Sequence, residues 1–144
     1  MTYELYNEHM KSFFYHIQLN VDFAHIGFYK ELMTFLGWSV IFEEHNVVGY
    51  KSGINGDLWF IKNDSRKQSD RDGIGMNHIS IRVDEMKDVD AVVNFLQEKS
   101  VTRLFETPRH RPEFSSEGKT YYQVMFESPD KILFEVVFIG PKSS

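Results

Sequence analysis

The sequence contains no cysteine. That excludes a disulfide framework and thiolate metal sites of the zinc-finger kind, so any metal must be held by nitrogen and oxygen. Long apolar runs are missing as well: no window approaches the roughly 18 residues that a membrane-spanning helix requires. Positive charge is in deficit, with 16 Lys and Arg against 21 Asp and Glu and a net charge of -5. A nucleic-acid surface rests on a basic footprint against phosphate and is not expected here. The opening MTYELYNEHMKS lacks the apolar centre of a signal peptide, and a cytoplasmic location is the expectation.

What the sequence does hold is a repeat. HIQLNVD begins at His16 and HISIRVD at His78, both reading His-Ile-x-[Leu/Ile]-x-Val-Asp. Each is followed by a helix-period segment, carried by Phe28, Leu32, Phe35 and Leu36 before Gly37 in the first half and by Met86, Val89, Val93 and Leu96 in the second. Asp22 and Asp84 stand where N-caps are wanted. Three strand-like runs then follow in each half: 38–42, 47–51 and 57–61, and then 101–106, 119–126 and 132–139, with turns at 52–56 and at Ser128-Pro129-Asp130-Lys131. The fold class is therefore α+β, two tandem βαβββ units at about 13–62 and 76–139, joined by a solvated linker at 63–75. Halves of about 60 residues are marginal for separate cores, so one domain over 1–144 is expected.

Strand side chains alternate faces. In the first strand Ile17, Leu19 and Val21 form an apolar face and leave His16, Gln18 and Asn20 opposite; in the fifth, Ile79, Ile81 and Val83 leave His78, Ser80 and Arg82. In the last strand Glu135 interrupts an apolar run, and a buried charge needs a cation, a proton or water. One strand histidine is ordinarily a hydrogen-bonded polar residue. Two repeat-related histidines with a carboxylate form a ligand set that leaves coordination positions open, as catalytic sites do. His16, His78 and Glu135 are thus the candidate ligands of one divalent ion (Fe, Mn, Ni, Co or Zn), with Glu135 the candidate catalytic residue. Phe114 closes the run PRHRPEF, and the basic loop 107–118 around it reads as a lid offering Arg109 and His110 to an anionic substrate group. Gln18, Arg82 and Tyr122 complete the candidate substrate contacts, only one of Tyr121 and Tyr122 being able to enter the site. His25 and His45 read as surface residues.

The doubled unit, the histidine opening each half and the closing FESPDKILFEVVF resemble the vicinal oxygen chelate superfamily, which contains glyoxalase I, bleomycin-resistance proteins, fosfomycin-resistance enzymes and extradiol dioxygenases. The resemblance runs from about Phe13 to Phe138. It implies the glyoxalase/bleomycin resistance/dioxygenase fold, a cupped mixed sheet around a divalent metal, with His16, His78 and Glu135 in the ligand positions, a small-molecule substrate and a homodimer. Aligning DLWFIKN with ILFEVVF sets Phe60 opposite Glu135, so the fourth ligand of the glyoxalase I pattern is missing. The expected activity is that of a glyoxalase-like lyase or isomerase. A ring-cleaving dioxygenase and a metal-free, antibiotic-sequestering protein of the bleomycin-resistance type are the alternatives.

Overall fold

The structure, a computed structural model, describes residues 9–53 and 56–142. The chain divides into two compact units, the first ending at Asp64 and the second beginning at Ser65. The first contains β1 (His16–Val21), a 3-10 turn (Phe23–His25), α1 (Ile26–Phe35), β2 (Ser39–Glu44), β3 (Val47–Lys51) and β4 (Asp57–Lys62). The second repeats the order with β5 (Ile79–Val83), α2 (Met86–Glu98), β6 (Arg103–His110), β7 (Lys119–Glu127) and β8 (Leu133–Pro141). Ile54 and Asn55, in the expected turn before β4, lie outside the described residues. The sheets run β1-β4-β3-β2 and β5-β8-β7-β6. In each, the opening strand lies parallel to the closing one and the other pairings are antiparallel, so the βαβββ unit is present twice as a mixed sheet.

Both helices end by the same device. Gly37 takes a φ of +82° after α1, and the N–H groups of Gly37 and Trp38 donate to the carbonyls of Thr34 and Met33, each at 3.0 Å. These two bonds satisfy carbonyls that the helix end leaves without partners. After α2, Ser100 takes a φ of 58°, and Ser100 and Val101 close onto Gln97 at 3.1 Å and Leu96 at 2.9 Å. The starts differ from expectation. Asp22 accepts from the Ala24 N–H at 2.9 Å and opens the 3-10 turn ahead of α1. The cap of α2 is Glu85 rather than Asp84, its N–H donating to Asp88 at 3.1 Å in a capping box.

Each sheet buries one face under its helix. In the first unit the buried stripe of α1 is Tyr29, Leu32 and Met33, whereas Phe35 is 46% exposed. Beneath it lie Leu19, Val21, Val48, Tyr50, Leu58 and Phe60. Phe60 touches the rings of Tyr29 at 4.8 Å and Tyr50 at 6.2 Å. In the second unit Val89, Val92, Val93, Phe95 and Leu96 of α2 cover the sheet, where the Phe126 and Phe134 rings stack at 5.7 Å.

The register corrects the alignment of the two closing strands. Gln18 pairs with Trp59 and Ser80 with Glu135, so the residue matched to Glu135 is Trp59, and Phe60 points into the helix-side core. A one-residue offset sends a side chain to the other face. Trp59 lies flat over Gly49, where a Cβ would come within 2.8 Å of the indole; Gly49 is required by that close approach.

β6 is a second correction. It runs beyond Glu106 to His110, with pairing that steps from Leu104 opposite Met125 to Arg109 opposite Gln123. The intervening bulge holds Phe105 and Glu106, both at φ 58°, and a cis Thr107–Pro108 bond. Thr107 spans the gap: its hydroxyl accepts the Met125 N–H at 2.9 Å and donates to the Leu104 carbonyl at 2.7 Å. The loop expected at 107–118 therefore shrinks to 111–118, which contains a 3-10 turn at Pro112–Phe114. The linker is shortened too, because Arg71 is bound to Glu127 at 2.6 Å and belongs to the second unit.

The register makes a stability prediction. Phe60→Ala destabilises the first unit by about 3–5 kcal/mol in chemical denaturation, the range for emptying a buried aromatic site. Trp59→Ala, on the half-buried open face, costs clearly less; the reverse order would restore the sequence alignment.

Candidate active site

The open face of the second sheet, turned away from α2, collects His78, Ser80 and Arg82 from β5 and its lead-in, Tyr121, Gln123 and Met125 from β7, and Leu133, Glu135 and Val137 from β8. It forms the floor of a cleft of about 550 Å³. Glu135 is 3% exposed, and three donors meet its carboxylate. Ser80 Oγ donates to Oε1 at 2.5 Å, Tyr121 OH lies 3.0 Å from Oε1 and 2.8 Å from Oε2, and Gln123 Nε2 donates to Oε2. A buried carboxylate is tolerated on those terms.

His78 stands beside it, with Nε2 3.7 Å from Oε1. Its other nitrogen, Nδ1, lies 2.8 Å from Asn77 Oδ1, and Asn77 Nδ2 donates to the Arg71 carbonyl at 2.9 Å. Since the amide nitrogen is engaged by a carbonyl, the amide oxygen faces the ring as an acceptor for Nδ1–H, and Nε2 is the nitrogen turned toward Glu135. The walls are aromatic and basic. Arg111 lies over the Phe114 ring at 4.6 Å, donates to Glu113 at 2.5 Å and to Gln123 Oε1 at 2.8 Å; Arg71 lies over the Phe105 ring at 5.6 Å.

The sequence candidates divide. His78 and Glu135 come together, with Ser80 between the strands. His16 and Gln18 lie exposed on the open face of β1, where Gln18 donates to Asn20 at 3.0 Å. Arg82 donates to the Ile139 carbonyl at 3.0 Å, and Arg109 pairs with Glu106 at 3.8 Å on the Gln123 side of β6. Tyr122 and His110 are placed on the opposite face from Glu135. Tyr122 OH donates to Asp90 of α2 at 2.6 Å, and His110 packs its ring 4.7 Å from Tyr122 and bonds Thr120. The register of β7 sends Tyr121 into the cleft instead.

No protein-family model matches the chain, nor does any curated protein. Solved structures do. A candidate glyoxalase from Bacillus halodurans superposes with a TM-score of 0.69 at 24% identity, over 93% of this chain and 98% of that one. A glyoxalase/dioxygenase from Nostoc punctiforme gives 0.63 at 18% identity, over 89% and 90%. A glyoxalase/bleomycin resistance protein from Albidiferax ferrireducens gives 0.64 at 14% identity, over 88% and 97%. This chain has the glyoxalase/bleomycin resistance/dioxygenase fold.

Within this glyoxalase-like fold, Asn77 and Gln123 are site residues that sequence reading missed, and Arg111, read only as part of the basic loop, is a brace for Gln123. Gln123, a fully buried amide in the run YYQVMF, carried the one available signal. Asn77 and Arg111 acquire their roles through folded geometry, Asn77 by bridging His78 to the Arg71 carbonyl and Arg111 by reaching from the loop to Gln123. Burial, and then the bond to Glu135, push the Tyr121 hydroxyl up to about 12; burial and the bond to Asp90 do the same for Tyr122.

These shifts set an alkaline prediction. A tyrosine whose pKa rises in the fold from an ordinary value of about 10 keeps its proton where the unfolded chain loses it. Its contribution to stability is complete below about pH 10 and is lost as pH rises through about 12. Absorbance titration of the folded protein shows a late phenolate step near pH 12, and Tyr122→Phe reduces both that step and the alkaline loss of stability. Ionisation of every tyrosine near the ordinary value would contradict it.

Proposed function

We propose that the protein is a divalent-metal-dependent enzyme of the glyoxalase-like type, a lyase or isomerase acting on a small oxygen-bearing molecule. His16, His78 and Glu135 are its metal ligands, and Glu135 is also its proton acceptor. One observation carries the reading: the Nε2 of a histidine faces a buried carboxylate at 3.7 Å on the floor of an open cleft. Two donors on one ion at roughly 2.1 Å lie about 3.0–3.4 Å apart, so His78 and Glu135 need close by only a few tenths of an ångström. Nitrogen and oxygen donors suit Fe, Mn, Ni, Co or Zn. Such an ion, when bound, supplies Lewis-acid polarisation of the substrate's oxygens.

The chain's own groups do the remainder. The Ser80 and Tyr121 hydroxyls hold the Glu135 oxygens in a fixed orientation for proton abstraction. Tyr121 stays protonated, its pKa being pushed up to about 12. Phe105 and Phe114 line the walls and offer apolar surface to the substrate's carbon skeleton. His16, on the open face of β1, is the third ligand in this proposal, and a homodimer in the cytoplasm is part of it.

A metal-free sequestering protein is the second reading. It is favoured by the completeness of the Glu135 network, which satisfies the carboxylate without a cation. Calorimetric titration of untagged, metal-stripped protein with Co(II) separates the two. The enzyme reading expects one ion per chain, and a loss of affinity in His78→Ala and in His16→Ala greater than the roughly 10–100-fold typical of outer-shell changes. Absence of binding by the unaltered protein would favour sequestration.

A further inference from the structure

Each proposed ligand of the second unit is backed by a side-chain amide, and each amide is clamped by an arginine. Asn77 stands behind His78 and gives its Nδ2–H to the backbone carbonyl of Arg71 at 2.9 Å. Gln123 stands behind Glu135 and receives, on its Oε1, the NH1 of Arg111 at 2.8 Å. An amide has one donor end and one acceptor end, so committing one end fixes what the other presents.

The two clamps have opposite polarity. Asn77, its nitrogen taken, turns Oδ1 to His78 Nδ1 at 2.8 Å; Gln123, its oxygen taken, turns its NH2 to Glu135 Oε2. The first presents an acceptor to Nδ1, as the Nδ1–H tautomer requires, and leaves Nε2 on the Glu135 side. The second ties down Oε2 and leaves Oε1 on the His78 side. Both arginines are themselves anchored, Arg71 to Glu127 at 2.6 Å and Arg111 to Glu113 at 2.5 Å, each with a phenylalanine ring against its guanidinium.

We infer that Asn77 and Gln123 are positioning residues, the first fixing the tautomer of His78 and the second the orientation of Glu135, with Arg71 and Arg111 setting which way each amide faces. The inference rests on the proposed reading of His78 and Glu135 as ligands, but its first test needs no metal. In metal-free full-length protein, imidazole nitrogen spectra show His78 as the Nδ1–H tautomer, and Asn77→Leu, at an exposed position, shifts it toward Nε2–H. The Gln123 side-chain amide exchanges slowly with solvent, at least tenfold faster in Arg111→Met, and slowly again in Arg111→Lys, which retains a donor. An Nε2–H tautomer in the unaltered protein, or exchange indifferent to Arg111→Met, overturns the inference.

Co(II) affinity then separates this inference from the function. Asn77→Leu and Gln123→Met each weaken binding 10–100-fold, the usual effect of removing an outer-shell partner. Should Gln123→Met not fold, Arg111→Met carries the same measurement. Binding that is abolished by His78→Ala yet stays within twofold of the unaltered protein in Asn77→Leu and Arg111→Met overturns the positioning roles and leaves the proposed function standing. Spectra as expected, with no Co(II) bound by the unaltered protein, uphold the positioning roles and remove the metal.

Discussion

A carboxylate buried in the middle of β8 is the constraint around which the second unit is organised. Taking an isolated charge out of water costs several kcal/mol even after the surroundings relax, so Glu135 dictates which residues share its face. Ser80 must pair with it across the parallel strand, and Gln123 and Tyr121 must reach it from the antiparallel neighbour. Those demands fix the registers of β5 and β7 against β8. They also fix which of two adjacent tyrosines turns inward, because β7 cannot slide by one residue without withdrawing Gln123 and Tyr121 together.

The first unit meets the same architecture with no charge to satisfy. At the position matched to Glu135 it holds Trp59, flat on Gly49 and 5.9 Å from the Phe42 ring. Donors are therefore not needed across the strand, and the neighbours are free to be Gln18 and Gly49. Duplication of a unit thus gives duplicate backbones with different chemistry: a hydrogen-bonded carboxylate in one half and an aromatic plate in the other. The repeat explains the fold, whereas the asymmetry at this one position bears on function.

How much of this could be read from the sequence follows from what each feature depends on. The repeat, the alternation around His78 and the Gly37 helix stop are local, and all were legible. The equivalence of Trp59 with Glu135 depends on how β4 pairs with β1, a non-local fact that identical strand lengths do not reveal. The β6 bulge escaped because its positive φ values fall on Phe105 and Glu106 instead of glycine, and Ser100 hides the second helix stop for the same reason. Alternation alone offers Tyr121 and Tyr122 equally to the two faces; only the partner strand decides that Tyr121 turns inward.

The arginines show why composition misjudges a cleft. A loop reading Arg-His-Arg suggests a trap for anions, yet Arg111 is held by Glu113 and Arg71 by Glu127, while Arg109 sits near Glu106 and His110 faces the other way. Opposite charges placed this close largely cancel each other's field at the centre of the cleft, so the basic residues add little long-range attraction for an anion. Their directional hydrogen bonds persist where their charge does not. Arg111 spends that directionality on Gln123, and Arg71 offers its carbonyl to Asn77. In the proposed function, recognition in this cleft accordingly falls to shape between the Phe105 and Phe114 walls and to the His78 and Glu135 pair on the floor, with the arginines acting as braces for the groups that touch that pair.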